Sequence, residues 1–330
     1  MEVSTQYRLL TTYGYDPTKT LTLRNAWTRD FNKRFKELIR VIREAVVTND
    51  VFGIGVQTNQ LTPPLPGQFN FPTTSEKVEA FMEWLRTQVD RGLLETHQFT
   101  RVGSSIDAAW TNTYIGESYK RGILRAQQEL RKAGYDVPPT TGLNTLQGAI
   151  SSPFTSPFHA DVVGVLYTRV FSELRNITNV MDNIMSQVLS QGLIDGDHPD
   201  LLARKLVSVI DGSGRGTLDL PIEYTRPDGR VVRYTMPAKQ RAATLARTET
   251  IRAHHRANIQ EYRNWGVDSI EVIAEFVTAG DDRVCTECAG YHGNRYTLKE
   301  AEFLIPVHPN CRCIVIPVAK QDVKGKIIGL

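Results

Sequence analysis

The chain has 330 residues, of which 41% are hydrophobic and 23% are charged, with a formal net charge of +3. These values are ordinary for a globular protein, and no apolar run approaches the ~18 residues that a membrane-spanning helix needs. The small net charge excludes binding to nucleic acid through overall charge alone. Because no basic stretch followed by a long apolar run opens the sequence, a secretory signal is not expected. We therefore expect a protein of a cytoplasm, with no membrane partner.

The first half of the chain predicts long helices. Apolar residues recur at three- and four-residue spacing over 23–46, which predicts an amphipathic helix of about seven turns. A second helix is expected over 74–92, with Thr74 or Ser75 as its cap, and a third over 104–132. Between these helices, loops are expected where prolines and glycines accumulate, at 62–67 and 137–156.

The second half predicts further helices and a small amount of strand. The helices are expected over 157–190, 199–210 and 237–266. In the first of them the predicted buried stripe consists of Val162, Leu166, Val170, Leu174, Ile177, Met181, Ile184 and Val188. Two β-prone runs around a Pro-Asp-Gly turn predict a hairpin over 222–235, and short strands are expected over 269–277 and 313–318. The stripe of the shorter helix is expected to include Leu201.

Together these elements predict an α+β protein with mostly long helices and a small C-terminal β region that a Cys/His cluster pins. Length suggests two domains, a helical N-terminal domain over 1–150 and a C-terminal domain over 151–330. The second would contain the hairpin (222–235) and the Cys/His module (282–318).

Two helical segments are rich in basic residues. Residues 21–47 carry seven Lys/Arg against three acids, and residues 238–264 carry six against two. Such segments are most often solvated helix faces, and the alternative is contact with nucleic acid or with an acidic partner.

All four cysteines lie near the C-terminus, as Cys285, Cys288, Cys311 and Cys313, with His308 just before the second pair. Two sulfurs of a C-x-x-C turn can reach one tetrahedral metal ion, and two residues separated by one position lie on the same face of a strand. This predicts a structural zinc site, with either four cysteines or His308 in place of one of the last two. Local disulfides or unligated thiols remain as the alternative, and a Cys/His nucleophile pair is a third one.

Several motifs resemble one known family. They are A-T-L-A-R-T-E-T-I-R over 243–252, D-D-R-V-C-T-E-C-A-G-Y-H-G over 281–293 and I-P-V-H-P-N-C-R-C over 305–313. Their order and spacing resemble the C-terminal domain of phage Mu protein F-like minor head proteins, over roughly residues 160–318. The residues that match the family motifs, beside the cysteines and His308, are Arg247, Glu249, Asp282, Gly293, Pro309 and Arg312. For Arg247 and Glu249 we expect structural roles, since residues two apart point to different faces of a helix.

The resemblance implies a structural minor head (capsid) protein of a tailed bacteriophage, not an enzyme. It implies association with the portal protein and the major capsid protein, action in head assembly, and a role in DNA packaging or ejection that would bring it to viral DNA. The protein would lie in the virion head, after assembly in the host cytoplasm. The competing hypothesis is a zinc-dependent protein that binds nucleic acid, or an enzyme such as a nuclease or transferase that acts through His308, Glu249 and Arg247.

Overall fold

The computed structural model describes residues 16–55, 69–94, 109–137, 157–213, 220–226, 228–266 and 273–318. The helices are α1 (Leu21–Arg43), α2 (Thr74–Val89), α3 (Thr111–Lys132), α4 (Pro157–Ile194), α5 (Pro199–Asp211), α6 (Ala238–Gly266), α7 (Thr286–Tyr291) and α8 (Leu298–Ala301). The strands are β1 (Leu220–Thr225), β2 (Val231–Met236), β3 (Ile273–Val277), β4 (Arg295–Thr297) and β5 (Ile314–Pro317). The predicted α+β class, with long helices and a small C-terminal β region, is confirmed.

Parts of the predicted organisation lie outside the described residues: the loop at 62–67, nearly all of the loop at 137–156, and the predicted helical start at 104–108. Within the described ranges, no helix is both long enough and apolar enough to cross a membrane.

Helix α1 buries the apolar stripe that its sequence predicts. Trp27, Phe31, Phe35 and Ile42 are fully buried, and a short π-helical segment, Glu44–Thr48, extends the helix. The side chains recur at three or four positions, so they form one face that packs on the other helices of the large core. At its start, Arg24 forms a buried ion pair with Asp16.

Helix α2 begins at a capping box, which differs by one residue from the predicted cap. The Thr73 hydroxyl accepts from the Glu76 backbone N–H, and the Glu76 carboxylate accepts from the Thr73 N–H. This reciprocal pair satisfies two of the helix's free donors, so the helix starts at Thr74. A π-helical segment, Asp90–Leu94, follows its last turn.

The long helix α4 buries a stripe that differs from the predicted one at three positions. Leu166, Val170, Leu174, Ile177 and Met181 are buried as expected. At the ends, however, the buried residues are Val163, Met185 and Leu189, whereas Val162, Ile184 and Val188 are only partly buried. The helix spans 38 residues and packs against α2, α3, α5 and α6, so its buried face turns along its length.

Helix α5 and the hairpin lie close to their predicted positions. Pro199 occupies the first turn of α5, and Gly212 ends the helix in the left-handed conformation at φ 74°. Leu201, expected in the buried stripe, is 39% exposed because it lies in the first turn on the outer side. Strands β1 and β2 pair antiparallel from Leu220 opposite Met236 to Thr225 opposite Val231.

Helix α6 is the central element, since it packs against α1, α3, α4 and α5 and also contacts β5 and α8. Its crossing with α3 is so close that a Cβ added at Gly122 would lie 2.4 Å from the His254 carbonyl oxygen and 2.6 Å from Ala257 Cβ. Ala126, Ala253 and Ala257 are buried at this crossing. Small side chains therefore allow the two backbones to touch.

The C-terminal module is a small antiparallel sheet in the order β4-β3-β5, with α7 and α8 beside it. Phe276 of β3 lies opposite Val315 of β5. These residues belong to a second apolar cluster, which also contains Leu130 of α3 and Tyr262 of α6. The large cluster contains residues from both sides of the predicted boundary at residue 150, and the division into two domains stays a prediction.

Candidate metal centre

The first pair of cysteines opens helix α7. Cys285 lies in extended conformation at the N-cap, and its sulfur accepts a hydrogen bond from the Cys288 backbone N–H at 3.3 Å. The helical turn that follows places Cys288 beneath Cys285, so Cys285 is exposed while Cys288 is buried. The C-x-x-C motif thus directs both sulfurs to one side, as its spacing predicts.

His308 lies against this pair. Its Nε2 atom is 3.2 Å from the Cys285 sulfur and 3.1 Å from the Cys288 sulfur. Its Nδ1 atom is 2.8 Å from the carbonyl oxygen of Pro309. Because a carbonyl oxygen can only accept, Nδ1 carries a hydrogen, and the other ring nitrogen, Nε2, faces the two sulfurs. A backbone carbonyl that orients a histidine in this way is typical of a metal ligand.

The second pair of cysteines comes from the segment that leads into β5. The Cys311 N–H donates to the His308 carbonyl at 3.1 Å, and Cys311 and Cys313 are both buried. The sulfurs of Cys288, Cys311 and Cys313 lie within 4.8 Å of one another, as do the ligand atoms of Cys285, Cys288 and His308. Cys288 therefore belongs to both groups and lies between them.

The sulfurs affect one another's ionisation. Hydrogen bonds from Cys288 and Cys313 lower the pKa of Cys311 well below its ordinary value, and the contact with Cys311 raises the pKa of Cys288. One sulfur of the buried group is thus readily a thiolate, which is the form that binds metals.

Arg312, between the second pair of cysteines, points away from the sulfurs and fastens the loop before Cys285. Its two terminal nitrogens lie 2.6 Å from the two carboxylate oxygens of Asp281, and Arg283 also pairs with Asp281 at 2.9 Å. Hydrogen bonds from Arg312, reinforced by Arg283, hold the pKa of Asp281 well below its ordinary value. The acid that faces Arg312 is Asp281; its neighbour Asp282, which the sequence analysis selected, is exposed.

Other predicted residues shape the module's loops. Gly293 has φ 82°, a left-handed conformation that favours glycine, and its N–H donates to the Phe276 carbonyl at 2.9 Å. Pro309 supplies the carbonyl that holds His308. Both residues therefore act through backbone geometry, one at the sheet and one beside the sulfurs.

Arg247 and Glu249 point to different sides of α6, as their spacing predicts. Arg247 is exposed, whereas Glu249 is 2% exposed and accepts from Arg169 of α4 and Arg252 of α6 at 3.3 and 3.1 Å. Between them, Thr248 accepts a hydrogen bond from the Asn310 backbone N–H at 3.0 Å. The A-R-T-E-T motif thus connects α6 both to α4 and to the loop that ends in Cys311.

Further contacts between α6 and the module involve residues that the sequence analysis did not select. Burial lowers the pKa of His255 to about 4, so its ring is neutral, and Nε2 donates to the Ala301 carbonyl at 2.8 Å. Arg256 and Arg263 both pair with Glu302, and the Tyr262 hydroxyl donates to the Val315 carbonyl at 3.2 Å. Only the helical spacing of these residues could have indicated a shared face.

Residues 183–316 match the family model described as Phage Mu protein F like protein. The resemblance predicted from the motifs is thereby confirmed. No curated protein and no solved structure matches the chain.

The Mu F-like region begins inside α4 and ends in β5. It therefore includes the hairpin, helix α6 and every cysteine, while α1, α2 and α3 lie outside it. The partners that hold Glu249, Asp281 and Thr248 in place, namely Arg252, Arg312 and Asn310, lie inside the region, but Arg169 does not.

The donor set of the Mu F-like region could bind a metal ion. Thiolates and a neutral imidazole are the ligands that zinc prefers, and tetrahedral bonds of about 2.1–2.3 Å would separate neighbouring ligand atoms by roughly 3.5–3.8 Å. The His308 distances of 3.1 and 3.2 Å need to lengthen by only a few tenths of an ångström. In the structure all four cysteines are free thiols.

Proposed function

We propose that this protein is a structural minor head (capsid) protein of a tailed bacteriophage. It associates with the portal protein and the major capsid protein during head assembly in the host cytoplasm and remains in the virion head. It acts on the genome during DNA packaging or ejection. The observation that carries the proposal is the family match, which suggests a phage head morphogenesis protein and includes all four cysteines and His308.

The surroundings of the competing catalytic residues favour a structural role. Glu249 is buried between two arginines, so its carboxylate is committed to internal ion pairs. His308 directs Nε2 at two sulfurs. Both groups line the same hollow beside α6. A general acid or base must be free to exchange a proton with a substrate, whereas here the carboxylate is held by arginines and the imidazole faces sulfurs.

We infer that the cysteine module holds one structural zinc ion. Its proposed ligands are Cys285, Cys288, His308 and one sulfur of the Cys311/Cys313 pair. The orientation of His308 by a backbone carbonyl supports a site that includes this histidine over one with four cysteines. A site with four protein ligands is closed, and zinc in a closed site stabilises the fold rather than activating water.

The head assignment is tested on purified particles. Mass spectrometry of heads from the phage that encodes this protein should detect it in few copies, and a cryo-EM map should place its helices beside the portal. Particles made without the gene should be defective in assembly, packaging or ejection. Complete heads that lack the protein in every preparation would remove the proposal.

The zinc assignment is tested on the isolated protein. Elemental analysis should find about one zinc ion per chain. The Cys288→Ser variant should lose it, because Cys288 belongs to both sulfur groups, while Cys313→Ser should retain measurable zinc if Cys311 supplies the fourth ligand. A metal-free protein with four titratable thiols would contradict the inference. A mass lower by the hydrogen atoms lost when two disulfides form would establish the disulfide alternative.

A further inference from the structure

Helix α1 carries a row of cations on its outer face. Arg29, Lys33, Lys36, Arg40 and Arg43 follow one another at spacings of four, three, four and three residues, which places them along one side of a helix. All five are exposed. Trp27, Phe31 and Leu38, each two positions before one of these cations, lie fully or almost fully buried on the opposite side. We call this row the α1 basic face.

Most of these charges have no ion-pair partner among the residues that the structure describes. Arg40 pairs with Glu37 and Glu44 at 2.7 and 2.6 Å. Within the described part of the chain, no carboxylate lies within the 4.0 Å ion-pair distance of the other four cations, Arg29, Lys33, Lys36 and Arg43. The face therefore has five cations against two carboxylates, and four of the cations are available to a partner.

The second basic segment, in α6, behaves differently. Its cations are largely used to hold the fold: Arg252 pairs with Glu249, and Arg256 and Arg263 pair with Glu302. Arg241 donates to the Pro221 carbonyl. The two segments, alike in sequence, thus differ in structure: α6 packs against four other helices, whereas none of the described elements covers the outer side of α1.

None of the described elements covers the α1 basic face, and the row itself has no apolar residue. The shallow hollow above it is lined, among the described residues, by side chains of α1 alone, such as Asn32 and Lys36. Every aromatic side chain of the helix is buried. Interfaces between proteins usually have an apolar or aromatic centre, and stacking on single-stranded bases needs exposed aromatic rings. A bare row of cations fits a partner that offers repeated negative charge.

We propose that the α1 basic face binds the phosphate backbone of double-stranded DNA, independently of sequence. The row spans 14 residue steps, or about 21 Å at 1.5 Å per residue, with one cation about every 5 Å. Duplex DNA presents one negative charge per ~1.7 Å of its axis, so each available cation can contact a phosphate. The polyanion chemistry follows from the face itself, whereas the choice of DNA over RNA rests on the proposed function.

The experiment measures binding of the purified full-length protein to a fluorescent DNA duplex of mixed sequence over a series of salt concentrations. Binding of the unaltered protein should weaken steeply with salt. The variant R29Q/K33Q/K36Q/R43Q should bind at least ~10-fold more weakly, and the slope of log K against log salt should fall by about 3.6, or ~0.9 per lost phosphate contact. All four residues are exposed, so circular dichroism and thermal unfolding should match those of the unaltered protein.

The matched control removes four exposed cations elsewhere, as R204Q/R230Q/R233Q/K299Q. This control changes the net charge by the same amount as the α1 variant. If it keeps the slope of log K against log salt, the α1 basic face itself binds the DNA. Equal losses in both variants, or no salt-dependent binding by the unaltered protein, would overturn the proposal. If the α1 variant keeps DNA binding but loses portal or capsid protein, the face serves an acidic protein instead. Because this measurement uses the protein alone, its failure leaves the head assignment standing, and absence from heads leaves the DNA result standing.

Discussion

His308 shows how the backbone of a neighbouring residue can orient a side chain that could bind a metal. The Pro309 carbonyl fixes the hydrogen on Nδ1 and leaves Nε2 facing two sulfurs. A proline at this position removes one backbone donor and restricts the chain beside the histidine. The H-P-N-C segment therefore supplies both a candidate ligand and the group that orients it.

We expect His308→Asn to weaken zinc binding by at least ~10-fold, the loss typical when even an orienting partner of a ligand is removed. Competition with a coloured chelator measures the affinity. His198→Asn is the matched control, because His198 is the exposed N-cap of α5 and asparagine caps helices well. An unchanged affinity in the His308 variant would favour a site with four cysteines.

The ion pair between Asp281 and Arg312 is a second contact between individual residues that shapes the module. It joins the loop before Cys285 to the segment that carries Cys311 and Cys313, and both side chains are mostly buried. The two cysteine pairs are thereby held together by a contact that involves no sulfur.

Asp281→Asn should lower the free energy of unfolding by about 1–3 kcal/mol, since it weakens charged hydrogen bonds. Asp282→Asn, an exposed neighbour, should change it by less than ~0.5 kcal/mol. Because folding lowers the pKa of Asp281, its contribution is fully present above the ordinary aspartate pKa of about 3.9 and is lost as pH falls below it. Denaturant unfolding between about pH 2 and 6 should show a flatter acid limb for the Asp281 variant. Equal effects of the two substitutions would exclude the assigned pairing.

At the scale of elements, α6 determines the arrangement of the others. It has few large apolar side chains, and its alanines let α3 approach until Gly122 touches the α6 backbone. The same helix then contacts the module through Thr248, His255 and Tyr262. Its position, rather than its hydrophobicity, makes it central.

Gly122→Ala should destabilise the protein by about 1–3 kcal/mol, because the added methyl would overlap the His254 carbonyl and Ala257. This loss should exceed the gain of roughly 1 kcal/mol that alanine brings to a helix. Gly92→Ala is the control, since a Cβ at that position meets nothing within 4 Å. Thermal unfolding of both variants gives the comparison, and a stabilised Gly122 variant would show that the helices can separate without cost.

The elements were largely predictable from the sequence, while their contacts were not. Spacing of apolar residues indicates the long helices α1 to α6, but the short helices α7 and α8 were not predicted because a helix of one or two turns shows no periodicity. In a helix of 38 residues the spacing also does not reveal where the buried face turns, as Met185 and Leu189 show. The motif D-D-R-V also cannot tell which aspartate faces Arg312. The basic content of 238–264 was visible, yet only the packing of α6 shows that its cations serve internal ion pairs.

At the scale of the whole molecule, the buried apolar residues of the described ranges form a large cluster, a smaller one that includes Cys288, Cys311 and Cys313, and a group of three in the sheet of the module. The smaller cluster combines the ends of α3 and α6 with the sheet. Zinc binding of about 10–16 kcal/mol, the range for structural sites, is comparable to the entire stability of a typical protein. The module should therefore depend on the metal far more than the helices do.

Removal of zinc by a chelator should expose residues 273–318 to proteases and raise their amide hydrogen exchange by several orders of magnitude. The buried residues of α1 and α4 should stay protected, since they belong to the large cluster. Exchange followed by mass spectrometry, with and without chelator, measures both regions together. Uniform loss of protection would show that the two clusters unfold as one, and unchanged exchange in the module would exclude a structural metal.

The contact at Gly122 limits how this protein can be recombined. The Mu F-like region begins after residue 182, but the backbone that α6 touches belongs to α3, outside that region. If recombination replaced the N-terminal half with an unrelated sequence, the new half would need a helix with an equally small residue at this crossing. The N-terminal helices should therefore be inherited together with α6. In natural recombinants of such genes, we expect the junction to lie outside the segment from α3 to α6.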